Sequence, residues 1–292
     1  MNLFDESLKQ LMNEKLGKLE KEFAADVVFF YGEIHTSVIR PFRDLIEDLK
    51  KPENTPVAQN KLVIILNTPG GSAEAVEKLV DIIRHHYTDV SFVVPDFAMS
   101  AGTIFCMSGN RIYMDYSSSL GPIDPQVWNG KQWVPARGYL DKVEDMFAKA
   151  ANGTLSNAEF LILQNQDLAM LSQYEQARNL TVTLLKKWLV EYKWKDWTIH
   201  QTNPAKVGKP VTDIEKTERA EEVAKLLGDN RYWHSHGRMI GIGTLRNLLR
   251  LKIEDYSNDP KLQPIIRSYN DLITEWIAKI SSSIFVHTRL FF

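Results

Sequence analysis

Short apolar segments alternate with amphipathic ones through the first 120 residues of the chain. Four segments rich in β-branched and aromatic residues predict buried strands, at 27–31, 62–67, 90–94 and 111–116. Helical spacing of leucine, isoleucine and charged residues predicts helices at 3–23, 38–49, 73–86 and about 100–108. This alternation, with strands that are apolar on both faces, is typical of an α/β fold with a mostly parallel sheet flanked by helices.

The rest of the chain is mainly helical in pattern. Helical periodicity extends over 139–192 with a break near Asn152-Gly153, and 212–227 predicts a charged helix capped by Thr212 or Asp213. One more helix is expected after Tyr256, followed by an apolar end without an assigned element. We therefore expect an N-terminal amphipathic helix (1–24), an α/β domain (25–256) and a C-terminal helical tail (257–292).

Composition and charge exclude several classes of protein. With 44% hydrophobic and 25% charged residues, the chain is globular, and its net charge of −2 supplies no basic field for nucleic acid. Its single cysteine, Cys106, forms no internal disulfide, which favours a reducing compartment. The charged start lacks the apolar core of a signal peptide, and no apolar run reaches the roughly 18 residues of a membrane span. We expect a soluble, cytoplasmic protein.

Two turns built from small residues carry the candidate chemistry. The first, at 67–71, is Asn-Thr-Pro-Gly-Gly, and the second, at 98–103, places Ser100 at the start of a helix among small residues. Both follow predicted strands, and ligand sites of open α/β sheets form at the carboxyl ends of strands. Free N–H groups at such turns stabilise a developing negative charge. Taken alone, a serine in this position is more often a helix cap than a nucleophile.

Three motifs resemble a known superfamily. NTPGGSAEA, MSAGT and SSSLGPIDPQ are similar to the core of the Clp protease and signal-peptide-peptidase-A proteins, and most similar to the serine dehydrogenase proteinase family. The resemblance covers about 27–142 and implies a ClpP/crotonase-like fold. It further implies that Ser100 is a peptidase nucleophile, and that Gly70, Gly71 and the N–H of Ala101 form the oxyanion hole. An extended peptide would lie beside the glycines as an added strand.

The general base is less well defined. The Clp subunit takes a histidine from the region that corresponds to 120–125, and this chain has no histidine there. The resemblance to the signal-peptide-peptidase branch implies a Ser-Lys dyad with Lys142 as the base, provided that burial lowers the pKa of its amine. Lys131, a histidine of the C-terminal half, and the absence of any base remain alternatives.

Other titratable residues have structural interpretations. His234 and His236 have too few neighbouring ligands to predict a metal site, and a structural role is favoured. His35 is a weak candidate for the cleft, and Cys106 is expected in the core as a small hydrophobe.

Two other functions remain open on the same fold: a crotonase-like acyl-coenzyme A enzyme, and a catalytically inactive scaffold. For the peptidase, the expected substrate is a peptide or unfolded protein, with no cofactor and no metal. The resemblance implies a homo-oligomer, and a partner ATPase or membrane protein that delivers the substrate is left open.

Overall fold

Helices and strands alternate along the chain in the computed structural model, which describes residues 3–54, 60–128, 133–201 and 204–291. The helices are α1 Leu3–Phe23, α2 Ile39–Leu49, α3 Ala73–His86, α4 Ala101–Met107, α5 Ala136–Ala151, α6 Asn157–Gln164, α7 Leu168–Trp188, α8 Asp213–Leu227, α9 Asn230–Trp233, α10 Ile242–Asn247 and α11 Leu262–Ile280. The strands are β1 Asp26–Gly32, β2 Lys61–Asn67, β3 Asp89–Val94, β4 Phe97–Ala98, β5 Arg111–Met114, β6 Ser119–Leu120, β7 Gln126–Trp128, β8 Trp133–Pro135, β9 Glu254–Asp255 and β10 Ile284–His287.

Six of these strands form the central sheet, in the order β10-β1-β2-β3-β5-β9. All neighbours are parallel except β10, which is antiparallel to β1 at the edge. Separate strand pairs are formed by β4 with β6, which are parallel, and by β7 with β8, which are antiparallel. The chain is therefore an α/β protein with a mostly parallel sheet flanked by helices, as the sequence predicts.

Both faces of the sheet are buried, because alternate residues of each strand point to opposite sides. On one side Val28, Ile64 and Phe92 join the large core that includes side chains of α2, α3, α4, α7 and α8. On the other side Val27, Val63 and Val93 pack with α1 and α11. This two-sided burial explains why the predicted strands are continuously apolar.

The predicted elements are confirmed, with boundaries that shift by a few residues. Ser72 caps α3 by accepting a hydrogen bond from the N–H of Ala75 at 3.0 Å, and Thr212 caps α8 in a capping box with Glu215. The predicted helix at 139–192 is divided into α5, α6, α7 and a π-helical turn, Leu189–Lys193. No helix in the described ranges is long and apolar enough to cross a membrane.

The C-terminal segment adds a strand that the sequence pattern does not predict. After α11 the chain turns back, and β10 pairs with β1 from Phe29–His287 to Gly32–Ile284. Helix α1 packs on α11 through buried side chains such as Met12 and Leu16. The division of the chain at residues 24 and 256 stays a prediction, and both terminal segments contact the sheet or the helices that cover it.

Candidate active site

Parallel pairing brings the two predicted turns together at one edge of the sheet. Asn67 ends β2. The backbone N–H and carbonyl of the next residue, Thr68, both form hydrogen bonds, one with the short strand β4 and one with the residue after β4. The N–H of Thr68 donates to the carbonyl of Phe97 at 3.0 Å, and the N–H of Met99 donates to the carbonyl of Thr68 at 2.9 Å. These bonds hold the β4 segment next to Thr68. Because Ser100 directly follows Met99, the serine lies beside the diglycine turn.

Ser100 has a backbone conformation that is rare for a residue with a side chain, at φ 52° and ψ −116°. Such strain costs of order 1–3 kcal/mol and is concentrated at functional sites. The residue is half-buried at the start of α4, and its hydroxyl makes no cap bond to that helix. No other hydrogen bond to this hydroxyl occurs in the described residues. The sharp strand-to-helix turn therefore presents an unpartnered hydroxyl, the arrangement of a nucleophile elbow.

Gly70 and Gly71 are required by close backbone approach. A Cβ atom on Gly70 would lie 2.9 Å from the Cβ of Ser100 and 3.0 Å from the carbonyl oxygen of Met99. A Cβ atom on Gly71 would lie 2.1 Å from the carbonyl oxygen of Ile34. Both glycines also have positive φ, at 116° and 139°, which favours glycine. The diglycine therefore lets the turn contact Ser100 on one side and Ile34, two residues after β1, on the other.

The bonds of the glycine turn leave one of its N–H groups free. Ile34 donates to the carbonyl of Gly70 and accepts from the N–H of Ser72, both at 2.8 Å, so the N–H of Gly71 points away from Ile34. The N–H of Gly70 donates to the hydroxyl of Thr68 at 3.1 Å. Within the described residues the N–H groups of Gly71 and Ala101 have no acceptor. Ala101 follows Ser100 and begins α4, where an unpaired N–H is expected.

Two buried asparagines and the carboxylate of Asp96 connect this edge of the sheet to α11. The Asn67 Nδ2 donates to the Oδ1 of Asn270 at 2.7 Å, and the Asn270 Nδ2 donates to the Oδ2 of Asp96 at 2.9 Å. The Asn67 Oδ1 accepts from the N–H of Asp96 at 3.2 Å. This network ties α11 to the strand ends that hold the turns. No local sequence pattern indicates this network, because Asn270 lies 203 residues from Asn67.

Thr103 joins the serine turn to the segment that follows β6. Its hydroxyl is fully buried and lies 2.9 Å from the carbonyl oxygens of both Ala98 and Gly121. The same hydroxyl accepts a bond from the N–H of Gly121 at 2.9 Å. Gly121 is close to the serine turn as well, since a Cβ atom there would lie 3.2 Å from the Cα of Met99.

Lys142, the lysine that the resemblance implies as the base, lies on α5. It is exposed and lines a cavity of about 390 Å³ together with Tyr139, Val143 and Met146. No hydrogen bond joins Lys142 to Ser100 in the described ranges, so the dyad stays a prediction. Lys131 lies outside the described residues.

A histidine of the C-terminal half, His236, contacts the segment 120–125, which contains no histidine of its own. The Nδ1 of His236 lies 2.9 Å from the Oδ1 of Asp124, and the other carboxylate oxygen accepts from the Gln126 amide at 3.0 Å. The Asp124 side chain is 1% exposed and that of His236 is 27% exposed. A structural role was predicted for both histidines of this segment, His234 and His236, and this pair was not. Its members are 112 residues apart, so no local spacing reveals it.

The other titratable candidates have ordinary roles. His35 is exposed and its Nδ1 accepts from the N–H of Ser37 at 3.3 Å, which caps a short 3-10 helix. Cys106 is fully buried in α4, and desolvation raises the pKa of its thiol far above the ordinary range. In the part of the chain that the structure describes, no group of three or more His, Cys, Asp or Glu side chains is placed to hold a metal ion.

Comparison with known proteins gives two curated relatives and a set of solved structures. Two uncharacterized proteins of Methanocaldococcus jannaschii are similar to the chain. One is 28% identical over 173 residues, covering 59% of this chain and 47% of that protein. The other is 26% identical over 210 residues, covering 72% and 55%. The chain thus spans about half the length of the curated relatives it matches.

Among solved structures, the 1510-N membrane-bound stomatin-specific protease is matched twice. A serine-to-alanine mutant of it aligns over 82% of this chain and 81% of that chain, with 13% identity and a TM-score of 0.44. A lysine-to-alanine mutant in complex with a substrate peptide aligns over 41% and 56%, with 21% identity and a TM-score of 0.31.

The family comparison covers the site itself. Residues 44–205, more than half of the chain, match the family described as ClpP-like SDH-type serine proteinase. This range includes the diglycine turn, Ser100 and Asp124, and ends before His236. The chain therefore belongs to the family of ClpP-like SDH-type serine proteinases.

Proposed function

We propose that this chain is a serine peptidase that cleaves peptide bonds with Ser100 as its nucleophile. The observation that carries the proposal is the approach of the diglycine turn to the serine, where a Cβ on Gly70 would lie 2.9 Å from that of Ser100. A hydroxyl without a partner therefore stands next to a turn that has a free N–H group. Membership of a serine proteinase family supports the same reaction class.

The oxyanion hole consists, in this proposal, of the N–H groups of Gly71 and Ala101. When the Ser100 oxygen attacks a carbonyl carbon, negative charge develops on the carbonyl oxygen, and two fixed donors stabilise it. Each such donor contributes roughly 10²–10³-fold to the rate in comparable enzymes. Gly70 contributes in a different way, because its N–H is bonded to Thr68 and its missing side chain makes room for the serine.

The remaining parts of the predicted mechanism are proposals of finer detail. Several points stay predictions: Lys142 as the base, a peptide or unfolded-protein substrate, a homo-oligomeric state, an ATPase or membrane-protein partner, and a cytoplasmic location. The substrate, the oligomeric state, the partner and the location concern the whole protein, and the assignment of Ser100 as the nucleophile does not depend on which residue is the base.

The test is hydrolysis of a fluorescently labelled unstructured protein, with new N-termini identified by mass spectrometry. We expect cleavage by the wild-type chain and a loss of at least about 10³-fold in the Ser100→Ala variant. Ser172→Ala, which changes an exposed serine of α7, is the matched control and keeps the wild-type rate. Cleavage that persists in Ser100→Ala overturns the proposal. Turnover of an acyl-coenzyme A thioester in place of peptide would favour the crotonase-like alternative.

A further inference from the structure

We propose that His236, held by Asp124, is the general base that activates Ser100. This inference rests on the proposed function, because it supplies the proton acceptor that the nucleophile requires. The assignment differs from the lysine that the sequence resemblance implies. It is carried by strand register, by burial of the carboxylate and by the free nitrogen of the imidazole.

Strand register brings the three residues to the same end of a small ladder. Strands β4 and β6 are parallel, with Ala98 opposite Leu120, so the residues that follow each strand leave it in the same direction. Ser100 follows β4 by two residues and Asp124 follows β6 by four. Gly121, the residue after β6, lies close to Met99, the residue after β4. The two segments therefore stay adjacent where they leave the strands.

A third segment joins this ladder from the opposite direction. Leu120 and Ile240 exchange two backbone hydrogen bonds, of 3.0 and 2.8 Å, in antiparallel orientation. Residues that precede Ile240 therefore run alongside residues that follow Leu120. His236 precedes Ile240 by four residues, and its imidazole meets Asp124 at that end. The ladder thus places the imidazole and the carboxylate together beyond the same end from which Ser100 leaves β4.

The bond to Asp124 fixes the tautomer of the imidazole. An ionised carboxylate only accepts hydrogen bonds, so the Nδ1 of neutral His236 must carry the proton in the 2.9 Å contact. The Nε2 is then unprotonated and available to accept a proton. It makes no hydrogen bond in the described residues, and the imidazole is partly open to solvent while Asp124 is buried. This is the arrangement of a base oriented by a buried acid.

In this mechanism His236 carries the proton between Ser100, the leaving group and water. The Nε2 of His236 takes the hydroxyl proton of Ser100 while the serine oxygen bonds to the carbonyl carbon, whose oxygen becomes the oxyanion. His236 next gives that proton to the departing amine as the carbon–nitrogen bond breaks, which leaves an acyl-serine. Water attacks the acyl group and loses a proton to His236, and that proton returns to the serine oxygen on release of the acid. Asp124 keeps its charge throughout and acts as a positioning residue.

The segment offers a matched control for this assignment. His234 is two residues away, its side chain is exposed, and its imidazole has no hydrogen-bond partner in the described ranges. His234→Ala therefore removes the same type of side chain from the same segment without affecting the carboxylate contact.

The experiment compares kcat and KM for hydrolysis of the labelled unstructured protein by full-length variants, with and without added imidazole. We expect His236→Ala to lower kcat by at least about 10²-fold with little change in KM, and added imidazole to restore part of the loss. Asp124→Asn lowers kcat in the same way, because the amide no longer selects the productive tautomer. His234→Ala stays within about threefold of wild type.

Several outcomes overturn the inference. One is a folded His236→Ala that keeps the wild-type kcat, and another is a loss that imidazole does not reverse. A loss in Lys142→Ala without one in His236→Ala assigns the base to the lysine. If His236→Ala does not fold, as judged by thermal unfolding, His236→Gln replaces it with the same criteria. Because activity of the wild-type chain and its loss in Ser100→Ala are measured in parallel, failure of the base assignment is distinct from failure of the peptidase proposal.

Discussion

The two halves of the candidate site are built in different ways. The nucleophile half consists of the diglycine turn and the Ser100 turn, both made by the backbone directly after neighbouring strands. The base half consists of side chains from separate parts of the chain: Asp124 after β6, and His236 from the segment before Ile240. The backbone turns of a site are therefore determined by the local sequence, whereas its side-chain pairs depend on the tertiary packing of distant segments.

The nucleophile half tolerates no added side chain, and we predict the largest effect there. Gly70→Ala places a methyl group 2.9 Å from the Cβ of Ser100 at a positive φ. The serine must move, and misplacement by about 1 Å costs on the order of 10²-fold in kcat. Gly243→Ala is the control, since nothing lies within 4 Å of a Cβ there. Steady-state hydrolysis checks the prediction, and a Gly70→Ala enzyme of wild-type activity would show that the turn does not position the serine.

The C-terminal strand is another long-range feature, and it makes stability depend on pH. The His287 imidazole accepts a bond from the Tyr269 hydroxyl at 2.7 Å and donates one to the Asn13 amide oxygen at 2.8 Å. Burial lowers the pKa of His287 to about 4. Below pH 6.5 the unfolded chain therefore binds a proton that the folded chain does not. Folding stability should fall as the pH drops from about 6.5 to about 4, by roughly 3 kcal/mol from this group.

Chemical denaturation across this pH range measures the effect. His287→Gln should lose the corresponding part of the pH dependence, whereas His85→Gln, at an exposed histidine, should retain it. Equal pH dependence in wild type and His287→Gln would show that the imidazole is not buried against α1 and α11.

The two halves of the site are joined by Thr103, which allows their connection to be tested. Thr103→Val keeps the shape of the side chain but leaves the buried N–H of Gly121 without its acceptor. We expect a loss of about 1–3 kcal/mol in unfolding free energy. Thr103→Ser keeps the hydroxyl and should lose less. A Thr103→Val protein as stable as wild type would show that the bond between Thr103 and Gly121 does not hold the two halves together.

The smallest expected effect concerns strain at the nucleophile. Both Ser100→Ala and Ser100→Gly remove the hydroxyl, but only glycine adopts φ 52° without strain. After allowance for the greater freedom of glycine in the unfolded chain, Ser100→Gly should be about 1 kcal/mol more stable than Ser100→Ala. At Ser172, inside α7, the order should reverse, since alanine favours a helix. Denaturant titrations of the four variants measure their unfolding free energies. The same order of alanine and glycine at both positions would contradict the prediction.

The same contrast explains how much the sequence could predict. Strand and helix periodicity, the Gly70-Gly71 turn and the helix start at Ser100 are local signals, and the parallel sheet follows from their alternation. The Asp124–His236 contact and strand β10 are not local. The segment 284–287 pairs with β1 across more than 250 residues, so its short apolar pattern alone could not indicate a strand at the sheet edge.

The nucleophile assignment is tested most directly by reaction with a fluorophosphonate probe followed by peptide mapping of the full-length chain. We predict one covalent adduct, on the hydroxyl of Ser100, that is absent from Ser100→Ala and strongly slowed in Gly70→Ala. An unmodified Ser100 in a folded protein, or an adduct that forms on another residue and persists in Ser100→Ala, would contradict the account.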